Sequence, residues 1–262
     1  MGFRTALKIL EAWQNYEYFG LIVYGPLRCG KSVFSIKLLA QVYGETRVTN
    51  DENGNLVLEV LKPNWEAWKE WMVFFPEEFF EKVDQVQKTG RQQKMIVWDD
   101  AGLWASQYRW SEEFAKRLSE YFNVAASDFA SIVFTTPDPR WLLKYIRDLP
   151  GGHTGRPIKV TGNPRQRDLR LIRIYEGWIA PDLKKSGVNP IVEDQFSVRL
   201  PDDVFREYDA VRRSYARVAK ERCMELIKEM RFRAPNYAES FKEKMEEFGL
   251  EDEGDDRNKA DG

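Results

Sequence analysis

Leu21-Ile-Val-Tyr24, bounded by Gly20 and Gly25, runs directly into Gly25-Pro-Leu-Arg-Cys-Gly30-Lys31-Ser32, which has the spacing G-x4-G-K-[ST]. The apolar run is strand-sized and β-branched, as a buried strand should be. From Lys31 to Tyr43 the apolar positions Val33, Phe34, Ile36, Leu38, Leu39 and Val42 return at helical spacing. The segment between them is therefore expected to be a tight loop joining a strand to a helix. Glycines let such a loop turn its backbone N–H groups inward, toward phosphate oxygens, and the helix start adds its positive dipole end. The expected phosphate-binding set is Gly25, Pro26, Leu27, Arg28, Cys29, Gly30, Lys31, Ser32 and Val33. Lys31 would reach the β- and γ-phosphates of ATP, and the Ser32 hydroxyl would ligate Mg²⁺. A chance glycine-rich turn is the competing reading; the strand before it and the helix after it argue against chance.

Downstream, Met95-Ile-Val-Trp-Asp99-Asp100 is an apolar strand that ends in two carboxylates. Asp99 at its tip is placed to hold the Mg²⁺ shell beside the phosphates. Asp100 would polarise an attacking water as general base, or stabilise the charge of the residue that does. A helix N-cap pair would explain either acid singly. Ile132-Val-Phe-Thr135-Thr136-Pro137 is a further buried strand that ends in hydroxyls, either lying between the other two strands or beside the acidic one. Such an end can orient the attacking water, or can simply be a turn before proline.

Outward from these motifs, strand and helix alternate to about residue 150, which predicts an α/β fold: a parallel sheet with helices on both faces. Residues 4–18 carry a helical apolar pattern, Asn50–Asn55 reads as a hairpin turn, and Pro76 with Glu77 and Glu78 opens a helix to about Lys88. Ser111 is expected to cap a helix to about Ala126, and Trp141–Ile146 a short one. Beyond Gly151 the pattern turns β-rich, with strands expected at Pro157–Val160, Leu169–Ile179 and Phe196–Leu200, then one long helix from Asp202 to about Arg233. The expected divisions are an N-terminal helix (1–19), a nucleotide-binding core (20–150), a β-rich basic extension (151–200), a C-terminal helical region (201–248) and an acidic, disordered tail (249–262).

Across 262 residues, 43% hydrophobic and 14% aromatic, there is enough apolar material for a large core, which excludes wholesale disorder. No apolar run approaches the roughly 20 residues of a membrane span. Two cysteines far apart exclude a disulfide framework, and a single histidine argues against a His-based zinc site or a Ser-His-Asp triad. A cytoplasmic location is the expectation. Net charge is only −2, yet Arg140–Tyr175 holds nine basic residues against Asp148 and Asp168. That stretch, with Trp141, Tyr145 and Tyr175 interleaved, is either a solvated face or a DNA-binding surface.

The segments 25–32, 71–83, 96–102 and 131–149 together resemble P-loop ATPases of the additional-strand division, and within it the AAA+ replication initiators and helicase loaders. In brevity and aromatic content the chain is also similar to ATPases of archaeal viruses and plasmids. The resemblance implies that Thr136 is the sensor-1 position, and that Arg147, or else Arg140, is an arginine finger presented to a neighbouring subunit in a ring or filament. Initiators continue into a helical lid and a helix-turn-helix, whereas residues 151–200 here look β-rich. Assembly ATPases of the zonula occludens toxin type share a β-rich region after the P-loop but usually carry a membrane span. The expected activity is Mg²⁺-dependent ATP hydrolysis coupled to DNA, in replication initiation, helicase loading or genome handling. A packaging or transfer motor, and a small-molecule or nucleotide kinase, are the alternatives.

Overall fold

The computed structural model describes residues 2–104, 112–122, 124–147, 152–159, 167–179 and 186–233. The chain runs α1 (Arg4–Asn15), β1 (Gly20–Tyr24), α2 (Lys31–Val42), a hairpin of β2 (Glu45–Asn50) and β3 (Leu56–Lys62), then α3 (Ala67–Trp71), β4 (Met72–Val73), α4 (Pro76–Thr89) and β5 (Ile96–Trp98). It continues through α5 (Ala101–Trp104), α6 (Glu112–Phe122), β6 (Ile132–Thr136), α7 (Lys144–Arg147), β7 (Gly152–Lys159), β8 (Leu169–Ile179), β9 (Ser186–Ser197) and α8 (Asp202–Arg233). Seven strands form one sheet in the order β4-β5-β6-β1-β7-β8-β9. The first five are parallel, and β8 and β9 are added antiparallel at one edge.

The strand with the hydroxyl end, β6, therefore lies between β1, which leads into the Gly25–Ser32 loop, and the acidic strand β5. Leu21 pairs with Val133, and Val97 pairs with the same Val133 from the other side. The β-rich stretch after residue 150 continues the core sheet, with His153 of β7 opposite Leu21 of β1. The chain divides into two compact units, Met1–Phe205 and Arg206–Gly262, the second described only along α8. The expected cap at Ser111, the residues after Arg233 and the acidic tail 249–262 lie outside the described residues.

Local chemistry explains the elements. Pro76 starts α4, and the Glu78 carboxylate accepts from the backbone N–H groups of Phe74 and Phe75 at 2.8 and 3.1 Å. Gly90 ends α4 in the left-handed region at φ 62°. In the β2–β3 turn, Asp51 accepts from the backbone N–H groups of Asn53 and Asn55. One apolar cluster joins Phe79, Phe122, Trp98 and Phe134. A second joins Phe3, Phe34 of α2 and Phe196 of β9.

Two strands differ from expectation. β9 spans Ser186–Ser197 rather than beginning at Phe196, because Gly187, Asn189 and Pro190 mask it in the sequence. As an outer strand of the sheet it tolerates proline, and burial of Val192, Asp194 and Phe196 on alternate positions holds it in place. β7 starts at Gly152 rather than Pro157, with a buried His153 whose Nδ1 lies 3.0 Å from the Gly20 carbonyl oxygen and whose ring stacks on Phe19.

The start of α1 has no cap from its own segment. Its donors are instead met by Asp194 of β9, which accepts from the N–H groups of Arg4 (2.7 Å) and Thr5 (3.0 Å) and from the Thr5 hydroxyl (2.6 Å). Burial raises the pKa of this carboxyl, and the hydrogen bonds from Thr5 and Arg4 act against the rise. Asp194→Ala orphans all three donors and is expected to cost roughly 1–3 kcal/mol. Urea denaturation measures it; a midpoint equal to the parent's would show that α1 is not held this way.

Candidate functional site

At the carboxyl ends of β1, β5 and β6 the sequence-predicted residues converge. Gly25 at φ 142° and Gly30 at φ 104° occupy conformations that glycine adopts without strain, and they bracket the turn from β1 into α2. A Cβ on Gly25 would also stand 3.1 Å from Cys29 Sγ. Arg28, at φ 63°, carries the remaining left-handed residue of the loop. Pro26, Leu27 and Arg28 are exposed, Cys29 and Val33 are half-buried, and the N-cap residue of α2, Gly30, supplies no side-chain cap. The first-turn N–H groups of α2 thus stand ready for an anion.

Lys31 is buried, and its Nζ donates to the backbone carbonyls of Gly25 (2.9 Å) and Pro26 (3.2 Å). Its charge is held at the loop by carbonyl oxygens, which a phosphate oxygen can replace. Ser32 Oγ donates to Asp99 Oδ1 at 3.0 Å, so the helix that follows the loop is tied to the tip of β5. Asp99 is fully buried, and the same Oδ1 accepts from Thr135 Oγ1 at 2.5 Å. Thr135 Oγ1 in turn accepts from the backbone N–H of Asp100 at 2.8 Å. Asp100 sits at φ 51°, where a non-glycine residue is strained unless its surroundings hold it, and the Thr135 bond is part of that hold.

Mg²⁺ fits this donor set. Ser32 Oγ and the Asp99 carboxylate are hard oxygen donors brought together at the phosphate loop, and Mg²⁺ is characteristically bound by one or two carboxylates together with phosphates and water. Among the described residues no cluster of three or more His, Cys, Asp or Glu forms a cage for another kind of metal.

Thr136, the position that the family resemblance selects, points elsewhere: its hydroxyl donates to the Asp138 carbonyl at 2.9 Å, and its Oγ1 leaves no room for a Cβ on Gly102. Thr135 is the residue brought to Asp99, and Thr136 closes a turn. The two arginines proposed as fingers both lie near Asp138 of their own chain. Arg140 pairs with it at 2.6 Å, and the Arg140 hydrogen bonds, with the charge of Arg147 adding to them, hold the Asp138 carboxyl below its usual pKa. Arg147 Nε is buried, with no hydrogen-bond partner among the described residues.

The basic stretch divides by partner. Arg173 pairs with Glu193, and Arg170 Nε donates to the Cys29 carbonyl at 3.2 Å, so β8 braces the Gly25–Ser32 loop. Neither contact was legible in sequence. They link residues far apart along the chain: the pairing of β8 with β9 brings Arg173 to Glu193, and the place of β8 beside β7 brings Arg170 to Cys29.

No protein-family profile matches the chain. It is similar to the uncharacterized protein B-251 of Sulfolobus spindle-shape virus 1, 26% identical over 236 residues, which cover 84% of each chain. Among solved structures it is similar to the N-terminal domain of the zonular occludens toxin of Neisseria meningitidis, with TM-score 0.34, 12% identity and coverage of 72% of this chain and 97% of that one. It is also similar to the genome packaging NTPase B204 of Sulfolobus turreted icosahedral virus 2, in complex with ATP-gammaS, with TM-score 0.33, 12% identity and coverage of 68% and 100%. Among the described residues no helix is long and apolar enough to cross a membrane.

Thr135→Val keeps the side-chain shape and removes the hydroxyl shared by Asp99 and the Asp100 N–H. Stability is expected to fall by about 1–3 kcal/mol, with Thr135→Ser recovering most of it. Equal urea midpoints for the valine variant and the parent would show that the hydroxyl does not fasten β6 to β5.

Proposed function

We propose that the chain is a Mg²⁺-dependent ATPase that acts on DNA in the genome handling of a mobile genetic element, with replication initiation or helicase loading as the kind of task. The observation that carries this reading is the hydrogen-bonded series Ser32–Asp99–Thr135–Asp100, assembled next to Lys31 on the carboxyl edge of a parallel sheet. Each member has a place in phosphate chemistry. The loop N–H groups and the start of α2 bind the phosphate oxygens, and Lys31 exchanges its carbonyl partners for the β- and γ-oxygens. Ser32 and Asp99 would hold Mg²⁺, which when bound neutralises the charge that develops on the phosphates. Thr135 fixes the Asp99 carboxylate and the backbone at Asp100, and the Asp100 carboxylate takes the proton of the attacking water.

Similarity to a viral protein along most of both chains supports a role in a mobile element. The exposed cations Lys144 and Lys159 support DNA as the partner. A neighbouring copy, in a ring or filament, would receive an arginine from Arg147 or Arg140; this requires either to leave the surroundings of Asp138 on assembly.

Phosphate release measured with and without DNA, at two salt concentrations, tests the reading. Mg²⁺-dependent release that DNA accelerates, with the acceleration fading as salt rises, is the expected result. Phosphate passed to a small-molecule acceptor instead of to water would replace the ATPase with a kinase.

A further inference from the structure

The phosphate loop is surrounded by more positive charge than the motif itself supplies. Lys31 Nζ rests on the carbonyls of Gly25 and Pro26. Also near Gly25 lies Arg156, in the middle of β7 and one residue beyond Gly155, which pairs with Val23 near the carboxyl end of β1. A Cβ on Gly25 would stand 3.4 Å from Arg156 Cγ and 3.8 Å from its Nε. An ammonium and a guanidinium thus converge on one glycine of the loop.

Among the described residues, the register of the strands places no counter-charge opposite Arg156. Arg156 pairs directly with Arg173 across β7 and β8, and Arg173 pairs with Glu193 across β8 and β9. Directly opposed like charges destabilise a sheet unless something neutralises them. Glu193 does so for Arg173, with Arg173 Nε 2.9 Å from its Oε2. Among the described residues no carboxylate pairs with Arg156, and its side chain is exposed. The row holds two cations and one anion, and the unmatched cation is the one beside the phosphate loop.

We propose that Arg156 is a second phosphate-binding cation of the nucleotide site, supplied in cis by β7, which acts with Lys31 on the polyphosphate and favours nucleoside triphosphates over monophosphates. The proposal rests on the reading of the loop as a nucleotide site and adds a residue that lies outside the motif. A guanidinium suits the task because its planar set of donors can bind two phosphate oxygens at once. Gly25 suits it too, since any side chain there would meet Arg156 and Cys29.

The test is the affinity of the full chain for ATPγS, ADP and AMP, with DNA retention measured in parallel, for the parent, Arg156→Ala, Arg156→Lys and Lys31→Ala. Arg156→Ala is expected to weaken ATPγS binding by about tenfold or more, as loss of charge-assisted hydrogen bonds implies, and to leave AMP binding little changed. Arg156→Lys should recover part of the loss. Thermal unfolding without ligand should match the parent, and Arg156→Gln repeats the measurement should the alanine variant unfold. If Arg156→Ala binds ATPγS as the parent does while Lys31→Ala does not, the nucleotide site stands and this assignment of Arg156 is overturned. Loss of DNA retention alone would overturn it as well, placing Arg156 on a DNA-facing surface. A parent that binds none of the three nucleotides would overturn the reading of the loop and the proposal with it.

Discussion

Lys31→Met is expected to lower affinity for ATP by about 10²-fold or more, and to reduce turnover to background. The methionine keeps most of the aliphatic stem and removes the charge, so the buried side chain still fills its place beside Gly25 and Pro26. What is lost is the cation that leaves two backbone carbonyls for the β- and γ-oxygens, a pair of charge-assisted bonds in a partly dry site. Fluorescent-nucleotide titration measures the affinity and phosphate release the turnover, with unliganded thermal unfolding as a control. A variant that folds, binds and hydrolyses like the parent would remove Lys31 from the site.

Asp100→Asn is the complementary case, in which binding persists and chemistry stops. Turnover is expected to fall by at least about 10²-fold while ATP affinity stays near the parent's, because the amide cannot take a proton from water. Asparagine is the right replacement on structural grounds. At φ 51° most side chains are strained, but asparagine tolerates the left-handed region about as well as aspartate does. The backbone N–H therefore keeps its bond to Thr135. Parallel loss of affinity and rate would make Asp100 a metal ligand or a structural cap instead of a base.

Most of the site's frame was readable because its signals are local. The spacing of Gly25, Gly30, Lys31 and Ser32, the apolar run before it and the helical period after it all fall within a short stretch, as does Asp99 at the end of its strand. Sequence alone left the position of β6 open, since order within a sheet depends on pairing between segments far apart. Sequence could not tell which of Thr135 and Thr136 meets Asp99, because neighbours on a strand face opposite sides and a displacement of one residue exchanges the two hydroxyls. Here Thr135 meets Asp99 and Thr136 meets the Asp138 carbonyl. Arg156 and Arg170 stood in the sequence as members of a basic stretch, and Asp194 lay before the strand expected at Phe196–Leu200. Their partners, Gly25, Cys29 and Thr5, are reached only once β7, β8 and β9 extend the core sheet. Pro190 and Gly187 concealed β9, although burial at alternate positions settles it.

Calorimetric titration of the full chain with ATPγS, in Mg²⁺ and again in a chelator, tests the account at its centre. The expected result is one saturable site per chain, tighter with Mg²⁺ than without it, and lost in Lys31→Met. Absence of binding up to millimolar nucleotide, or binding that Lys31→Met leaves intact, would contradict the assignment of Gly25–Ser32 as a nucleotide-binding loop.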